Sequence, residues 1–397
     1  MKPPTPPGSA PERVLVSSAF PMRLREIHLR EIQMPLKEPF RISSGVQTVR
    51  RILLVRVIDE DGREGWGECT CGERPNYSPE TPDTAWLAIR EWVAPRLLGR
   101  DLATARAARP LLEQNFRGHS MAKSAVETAI WDLEAKRRGV ALAVLLGGER
   151  EEIEVGISLG IQASPAALIE KAQACLARGY RKIKIKIGPG EDVEFLTAAR
   201  AALGPEAPLM ADANSAYTTA DFDRLVALDD LGLLMIEQPL AWDDLLRHAI
   251  LQRRLKTPIC LDESIGHVDR VEDMLALGAG RIVNLKVGRV GGLASALAIH
   301  DFCHARSVPV WCGGMLESGV GRAVNVAIAS LPGFTIPGDV SPSERYWERD
   351  IVRPEWTMSE NGRIRVPRDR PGLGVEVDLD RVENLTARVE VLTPPAN

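Results

Sequence analysis

Long apolar runs are missing from this 397-residue chain: no stretch of about 18 apolar residues occurs, which excludes a membrane-spanning helix. A basic excess is missing too. Lys and Arg total 50 against 54 Asp and Glu, a net charge of −4, so nothing would neutralise a phosphate backbone and nucleic acid is excluded as a partner. Cysteine is sparse, scattered at Cys69, Cys71, Cys175, Cys260, Cys303 and Cys312. None pairs at metal-ligand spacing, and Cys69 and Cys71 stand too close for a zinc knuckle. That usage suits a reducing cytoplasm. The opening MKPPTPPGSAPER holds too much proline and too short an apolar run for a signal peptide. Residues 1–21 read as a disordered tail, with Met22 a candidate natural start.

What is present is the composition of an ordinary soluble protein, 45% hydrophobic and 26% charged. The length suggests about two domains. After Met22, RLREIHLREI alternates loosely, and RRILLVRVIDEDGREGWGEC sets Asp61-Gly62 between two extended runs, a hairpin signal. The clearest helix runs from Ser120 to Arg138, where Ala122, Ala125, Val126, Ala129, Ile130 and Leu133 keep the i, i+3, i+4 spacing of one buried stripe. Strands first and helices after them predict an α+β unit over residues 22–150.

From residue 151 to 345, apolar runs beginning at Ile153, Lys182, Leu209, Leu233, Pro258, Arg281, Val308 and Phe334 alternate with amphipathic helical patterns. Such runs imply parallel strands buried on both faces, and eight of them suit a closed barrel. No closing helix follows the eighth. PEWTMSENGRIRV, with Asn361-Gly362 at its turn, reads as a hairpin, and residues 346–397 are expected to return to the first unit.

YRKIKIKIGPG puts Lys182, Lys184 and Lys186 on one face of a strand and Ile183, Ile185 and Ile187 on the other. A lysine-protected edge strand would read the same way, so this stretch alone leaves two explanations open. Later residues choose between them. Lys186, Asp212, Glu237, Asp262 and Lys286 fall at the C-terminal ends of five successive strands, at intervals of 26, 25, 25 and 24 residues. Each interval is one strand-helix unit, so the five side chains should share the mouth where barrel enzymes keep their chemistry. Three converging carboxylates repel unless a cation joins them. Oxygen ligands without His or Cys favour a hard cation, Mg²⁺ first and Mn²⁺ nearly as well.

A substrate carboxylate held there would lie between Lys186 and Lys286, and a neutral lysine would take the proton from the adjacent carbon to give an enediolate. A free lysine titrates at about 10.4. Lys184 on the same face, and the ion nearby, would disfavour the Lys186 cation. Arg289 would act likewise on Lys286. Two rival readings remain: a Schiff-base aldolase, whose lysines also sit at strand ends, and a metal-binding barrel without catalysis.

The order KIKIK, DAN, IEQP, LDES, NLK resembles the enolase superfamily, and lysine on both the second and the sixth strand resembles its muconate-cycloisomerase-like subgroup. The resemblance covers nearly everything after Met22 and implies a (β/α)7β modified TIM barrel with an α+β capping domain shared by the N-terminal region and the C-terminal segment. His300 and His304 fall within a helical pattern and read as helix-face residues. Finer matches, among them MPLKEPFRISSG, GWGEC, RPNYS, RGHSMAKSAVE, VNLKVGRVGG, WCGGMLESGVGRA and PGDVS, resemble the o-succinylbenzoate synthase family, whose relatives also racemise N-acylamino acids.

That family dehydrates a cyclohexadiene carboxylate in menaquinone synthesis. The resemblance implies that Lys186 abstracts the α-proton and assists loss of hydroxide, while Lys286 stays cationic in dehydration and acts on the opposite face in racemisation. It implies an apolar lid from Phe40 and Tyr77, and a side-chain pocket lined by Ser158, Gly313, Gly314 and Met315. Asn214 and Glu263 are expected to support the ligands, with Glu263 turned away from Asp262 by strand alternation. The Gly313-Gly314 pair could alternatively cradle a phosphate. Gly188 stands where the family is often acidic. Dipeptide epimerases tend to carry paired aspartates where PGDVS offers Asp339 alone, and muconate cycloisomerase is the other alternative. A homo-oligomer is expected, as is common among relatives.

Overall fold

The computed structural model describes residues 21–42, 45–190 and 192–394. The tail expected over residues 1–21 lies outside them except for Pro21. β1 (Met22–Ile42), β2 (Gly45–Asp59) and β3 (Glu64–Cys69) form an antiparallel sheet. Asp61-Gly62 makes the predicted turn between β2 and β3: Gly62 takes φ +79°, which glycine adopts at little cost, and Asp59 N–H donates to Arg63 O at 3.0 Å.

Helix α1 (Ser120–Arg138) has the predicted span, ends on Gly139 at φ +66°, and carries Lys136, Arg137 and Arg138 in its last turn, where cations complement the helix dipole. It is buried without interruption from Met121 to Ala135, not along one stripe. A helix enclosed on every side needs no polar face. On one side β3 presses so close that a Cβ on Gly65 or Gly67 would fall 2.0 Å from Ala129 O or 2.1 Å from Ala125 O. On the other lies the barrel. Glu127 of α1 accepts from Leu293 N at 2.6 Å and Ala294 N at 2.9 Å, satisfying the first amides of α2 (Leu293–His304).

Seven parallel strands follow in sequence order: β4 (Gly156–Leu159), β5 (Lys182–Lys186), β6 (Leu209–Asp212), β7 (Ile236–Glu237), β8 (Ile259–Leu261), β9 (Ile282–Leu285) and β10 (Val310–Cys312). The eighth expected strand is only a pair of contacts. Residues 334–339 make one parallel bridge to each neighbour, Val310 with Phe334 and Val155 with Gly338. Pro337 has no N–H for a ladder, so a continuous strand is disfavoured there.

The expected C-terminal hairpin is also replaced. The Asn361-Gly362 turn exists, with Gly362 at φ +68°, but residues 363–365 pair antiparallel with residues 152–154 at the entry to the barrel. β11 (Thr386–Leu392) then pairs antiparallel with β1, from Ile27 opposite Leu392 to Ile32 opposite Thr386. The result is an α/β barrel under a capping sheet that uses both ends of the described chain.

Lys182 and Lys184 are buried, 0% and 3% exposed, so the edge-strand reading of β5 fails. Met210, Met235 and Cys260 precede Asp212, Glu237 and Asp262 by two positions, hence on the same inward face one layer lower, and they cluster with Ile282 and Trp311. Lys182 Nζ lies 3.4 Å from the centre of the Trp311 ring. This apolar layer is the barrel floor. His300 and His304 stack on α2, and His300 Nε2 accepts from Gly333 N at 3.0 Å, as helix-face residues do. Among the described residues no helix is long and apolar enough to cross a membrane.

Gly67→Ala should cost about 1–3 kcal/mol, because the added methyl meets α1 backbone that cannot retreat without moving the sheet. Gly188, whose Cβ would meet nothing within 4 Å, should accept alanine within about 0.5 kcal/mol. Chemical denaturation of the two variants checks the contrast.

Candidate active site

Strand ends build the site. Lys186, Asp212 and Glu237 are the last residues of β5, β6 and β7, and Asp262 and Lys286 follow directly on β8 and β9. Register aligns Lys186 with Asp212 and Asp212 with Glu237. The three carboxylates are essentially inaccessible, at 1%, 0% and 0%. Above them, between barrel and cap, opens a cavity of about 400 Å³, within the usual range for small-molecule sites. Lys186, Asn214, Lys286, Phe40, Tyr77 and Met315 contribute to its wall, so residues from both bodies enclose one space.

Each carboxylate is tied to amines. Lys186 Nζ lies 2.6 Å from Asp212 Oδ2 and 2.5 Å from Asn214 Oδ1. Lys286 Nζ lies 2.8 Å from Asp262 Oδ2, and Arg289 binds Asp262 Oδ1. Burial works against an Asp212 carboxylate, yet Lys186 and Lys184 overcome it and hold the group well below its usual range. Glu237 fares differently. Burial, with Asp212 and Asp262 adding repulsion, pushes it up to about 8 despite Lys184. Burial also opposes the Lys286 cation, but Asp262 outweighs it and raises that amine above the ordinary lysine range.

Several expected roles change. Lys184 does not simply press its charge on Lys186: it lies 2.7 Å from Asp339, 3.1 Å from Asp212 and 3.3 Å from Glu237, so three acids share that charge. Glu263 is not turned away by strand alternation, because β8 ends at Leu261; Asn214 Nδ2 donates to its Oε1 at 3.1 Å. Phe40 lines the cavity, but Tyr77 is no purely apolar lid. Its hydroxyl donates to Asp262 Oδ1 at 2.9 Å, and its ring centre lies 4.3 Å from Lys286 Nζ.

Gly314 and Met315 reach the cavity wall; Ser158 and Gly313 do not. Ser158 pairs in register with Lys184, a layer below the mouth. At Gly313 a Cβ would come 2.3 Å from Asn284 Oδ1 and 2.6 Å from Lys286 Cε, so the missing side chain makes room for the lysine.

Three further residues join the site in roles the sequence reading did not give them, Asp339 having been noted only as the lone aspartate of PGDVS. Asn284 donates to Glu237 Oε1 at 2.6 Å, and its place two residues before Lys286 was the available signal, since alternate strand residues share a face. Asp339 bridges Lys182 and Lys184 at 3.2 and 2.7 Å. Gln238, at φ +37°, accepts from Asp262 N at 3.0 Å and fixes the start of that loop.

Residues 24–147 match the family described as mandelate racemase / muconate lactonizing enzyme, N-terminal domain, and residues 167–382 match that described as enolase C-terminal domain-like. The chain belongs to the enolase superfamily. An o-succinylbenzoate synthase of Geobacillus kaustophilus is 52% identical over 365 residues, which cover 92% of this chain and 96% of that protein. An N-succinylamino acid racemase of Thermus thermophilus is 49% identical over 365 residues, 92% and 98% of the two chains. The crystal structure of an enolase superfamily member from Listeria innocua superposes with a TM-score of 0.90 at 40% identity, covering 94% of this chain and 99% of that one.

Superfamily membership implies a divalent metal cofactor, and the chain's own donors can be tested against it. Among the described residues no group of three or more His, Cys, Asp or Glu side chains stands together as a metal site, since each candidate acid is turned to an amine. The donor set nevertheless fits. Three buried carboxylates sit on neighbouring strand ends, burial together with repulsion from Asp212 and Asp262 pushes Glu237 up to about 8, and Glu263 Oε2 and Asn284 Oδ1 lack a hydrogen-bond partner. A divalent cation would relieve that repulsion.

Cap and barrel are locked close to this site by Glu68. It accepts from Ser318 N at 3.1 Å, Ser318 Oγ at 2.6 Å and Gly321 N at 2.9 Å, holding the N-terminus of α3 (Gly319–Ala329). Burial pushes its carboxyl up to about 7. An acid whose folded pKa exceeds its unfolded value of about 4.3 binds more protons when folded between those limits, so this group's contribution grows as pH falls from about 7 to 4.3. Glu68→Gln should remove that rise, up to about 3 kcal/mol, so that wild type gains on the variant on going from pH 7 to pH 5 in urea denaturation.

Proposed function

We propose that this chain abstracts the proton α to a substrate carboxylate to give an enediolate, and that it works as an o-succinylbenzoate synthase, an N-succinylamino acid racemase, or both. The observation that carries the reading is the meeting of Lys186 and Lys286 in one cavity over three buried carboxylates, in a chain half-identical to enzymes with those two names. Asp212, Glu237 and Asp262 would hold the cation, with Mg²⁺ favoured by their oxygen donors, and when bound it supplies stabilisation of the charge developing on the substrate carboxylate.

Lys186 takes the α-proton. Asn214 and Asp212 hold its amine at the cavity wall, so the nitrogen is aimed before substrate arrives. In racemisation Lys286 delivers a proton to the opposite face of the carbon. In dehydration it stays cationic, and Lys186 returns its proton to the departing hydroxide. Asp262 and the Tyr77 ring both favour the Lys286 cation, which suits a group that begins as acid. The cavity takes a small carboxylate, and free buried thiols at Cys69, Cys71, Cys175, Cys260, Cys303 and Cys312 accord with a reducing cytoplasm.

The alternatives are weaker. Asp339 is buried and spent on Lys182 and Lys184, so it offers nothing to the free ammonium of a dipeptide. Lys286 is held as a cation, the wrong state for Schiff-base attack. Muconate cycloisomerase chemistry is represented by a relative only 28% identical.

Incubation in D₂O with N-succinyl amino acids and with the cyclohexadiene carboxylate tests the proposal. Deuterium should enter the α-carbon of the former, or o-succinylbenzoate should form from the latter. Lys186→Ala should lower either activity about 10²–10⁴-fold. Chelation should abolish it, and Mg²⁺ should restore it. Full activity in excess chelator, or a borohydride-trapped adduct on either lysine, would overturn the mechanism.

A further inference from the structure

The wall of the cavity formed by Gly314, Met315 and Leu316 has few holds of its own. Gly313 and Gly314 carry no side chains, and a Cβ at Gly314 would fall 2.5 Å from Asp339 O. Leu316 sits at φ +57°, in the left-handed region that a leucine adopts only when its surroundings impose it. Two charged side chains impose it here. Met315 N–H donates to Glu317 Oε1 at 2.8 Å, and Met315 C=O accepts from Arg50 Nη2 at 3.3 Å. Glu317 is fixed on the barrel side by Asn325 Nδ2 at 2.8 Å. Arg50 reaches across from β2 of the cap.

Arg50 also ties a third wall. Its Nη1 donates to Cys71 O at 2.6 Å and its Nη2 to Thr70 O at 2.9 Å, at the head of the segment that carries Tyr77 over Lys286. Arg50 is 2% exposed and makes no ion pair among the described residues, and its Nε lacks a hydrogen-bond partner. A buried cation spent on three backbone carbonyls is an expensive way to tie a loop, and lysine could not span all three from one planar group. β2, the segment from Thr70 to Tyr77 and the loop through Met315 all line the same cavity.

We propose that Arg50 is a specificity-determining positioning residue: it fixes the cap walls and the Met315 wall at one spacing, and so sets which acyl and side-chain groups fit beside the two lysines. It lines the cavity, but its Nη1 and Nη2 groups are turned to the three backbone carbonyls, so its part is to position the walls. This inference rests on the proton-abstraction reading for its substrates.

Arg50→Met, with Arg50→Lys as the milder variant should the first not fold, is compared with wild type on N-succinyl and N-acetyl amino acids in D₂O. KM for the N-succinyl substrate should rise about tenfold or more while kcat for α-deuteration falls less than about threefold, and the preference between the two acyl groups should shift. Hydrogen exchange without substrate should quicken in peptides spanning residues 313–318 and 70–77 and stay unchanged in α1. A loss confined to kcat, equal losses for both acyl groups, or unchanged exchange in those two segments would overturn the proposal. Should wild type itself deuterate neither substrate, the functional reading fails instead, and the exchange experiment alone decides whether Arg50 holds the walls.

Discussion

Buried charge must be partnered, and the mouth of this barrel concentrates that requirement. Asp212, Glu237, Asp262 and Asp339 face Lys182, Lys184, Lys186, Lys286 and Arg289, all of them buried except Lys186, which is partly exposed at the cavity wall. None of the four acids would ionise there alone. Together they form a lattice in which each amine is shared by more than one acid or each acid by more than one amine. Glu237 is the exception. It has the fewest cationic neighbours, it is driven toward protonation, and it lies between the other two candidate ligands. On the proposed reading, that under-compensated corner is where a doubly charged ion would sit.

The cap exists in relation to this lattice. Acidic side chains repeatedly terminate elements across the boundary: Glu127 of α1 serves the first amides of α2, and Glu68 of β3 serves those of α3. A carboxylate at a helix N-terminus meets both unpaired donors and a favourable dipole. These contacts set the two bodies in one orientation, which lets a tyrosine from one body share a hydrogen bond with a carboxylate of the other. Substitutions in the cap can then reshape the cavity while the lattice below stays as it is.

How much of this was legible in the sequence depended on periodicity. The five charged strand ends could be placed because a strand-helix unit repeats at nearly constant length, and side chains in phase with it must share an end. The capping hairpin was legible in Asp61-Gly62, since a turn's demands fall on its own residues. Three features were not. FTIPGDV is as apolar as a strand, but pairing depends on donors, and Pro337 removes one. Uninterrupted burial of α1 depends on what lies on its far side, which no window within it reports. Asn284 and Asp339 were missed because their partners lie on other strands; an asparagine inside an apolar run has many explanations until Glu237 is seen beside it.

The floor of Met210, Met235, Cys260, Ile282 and Trp311 makes the barrel a cup, not a tube. Its five residues are at most 6% exposed, so that layer offers water little room. On the proposed chemistry, a hydrogen lifted onto Lys186 would exchange through the cavity on the side of the cap, or go back to the carbon it left. Isotope washout would then report how freely water in that cavity reaches the amine, and the balance between retention and scrambling of label would reflect the cap walls as well as the basicity of the amine.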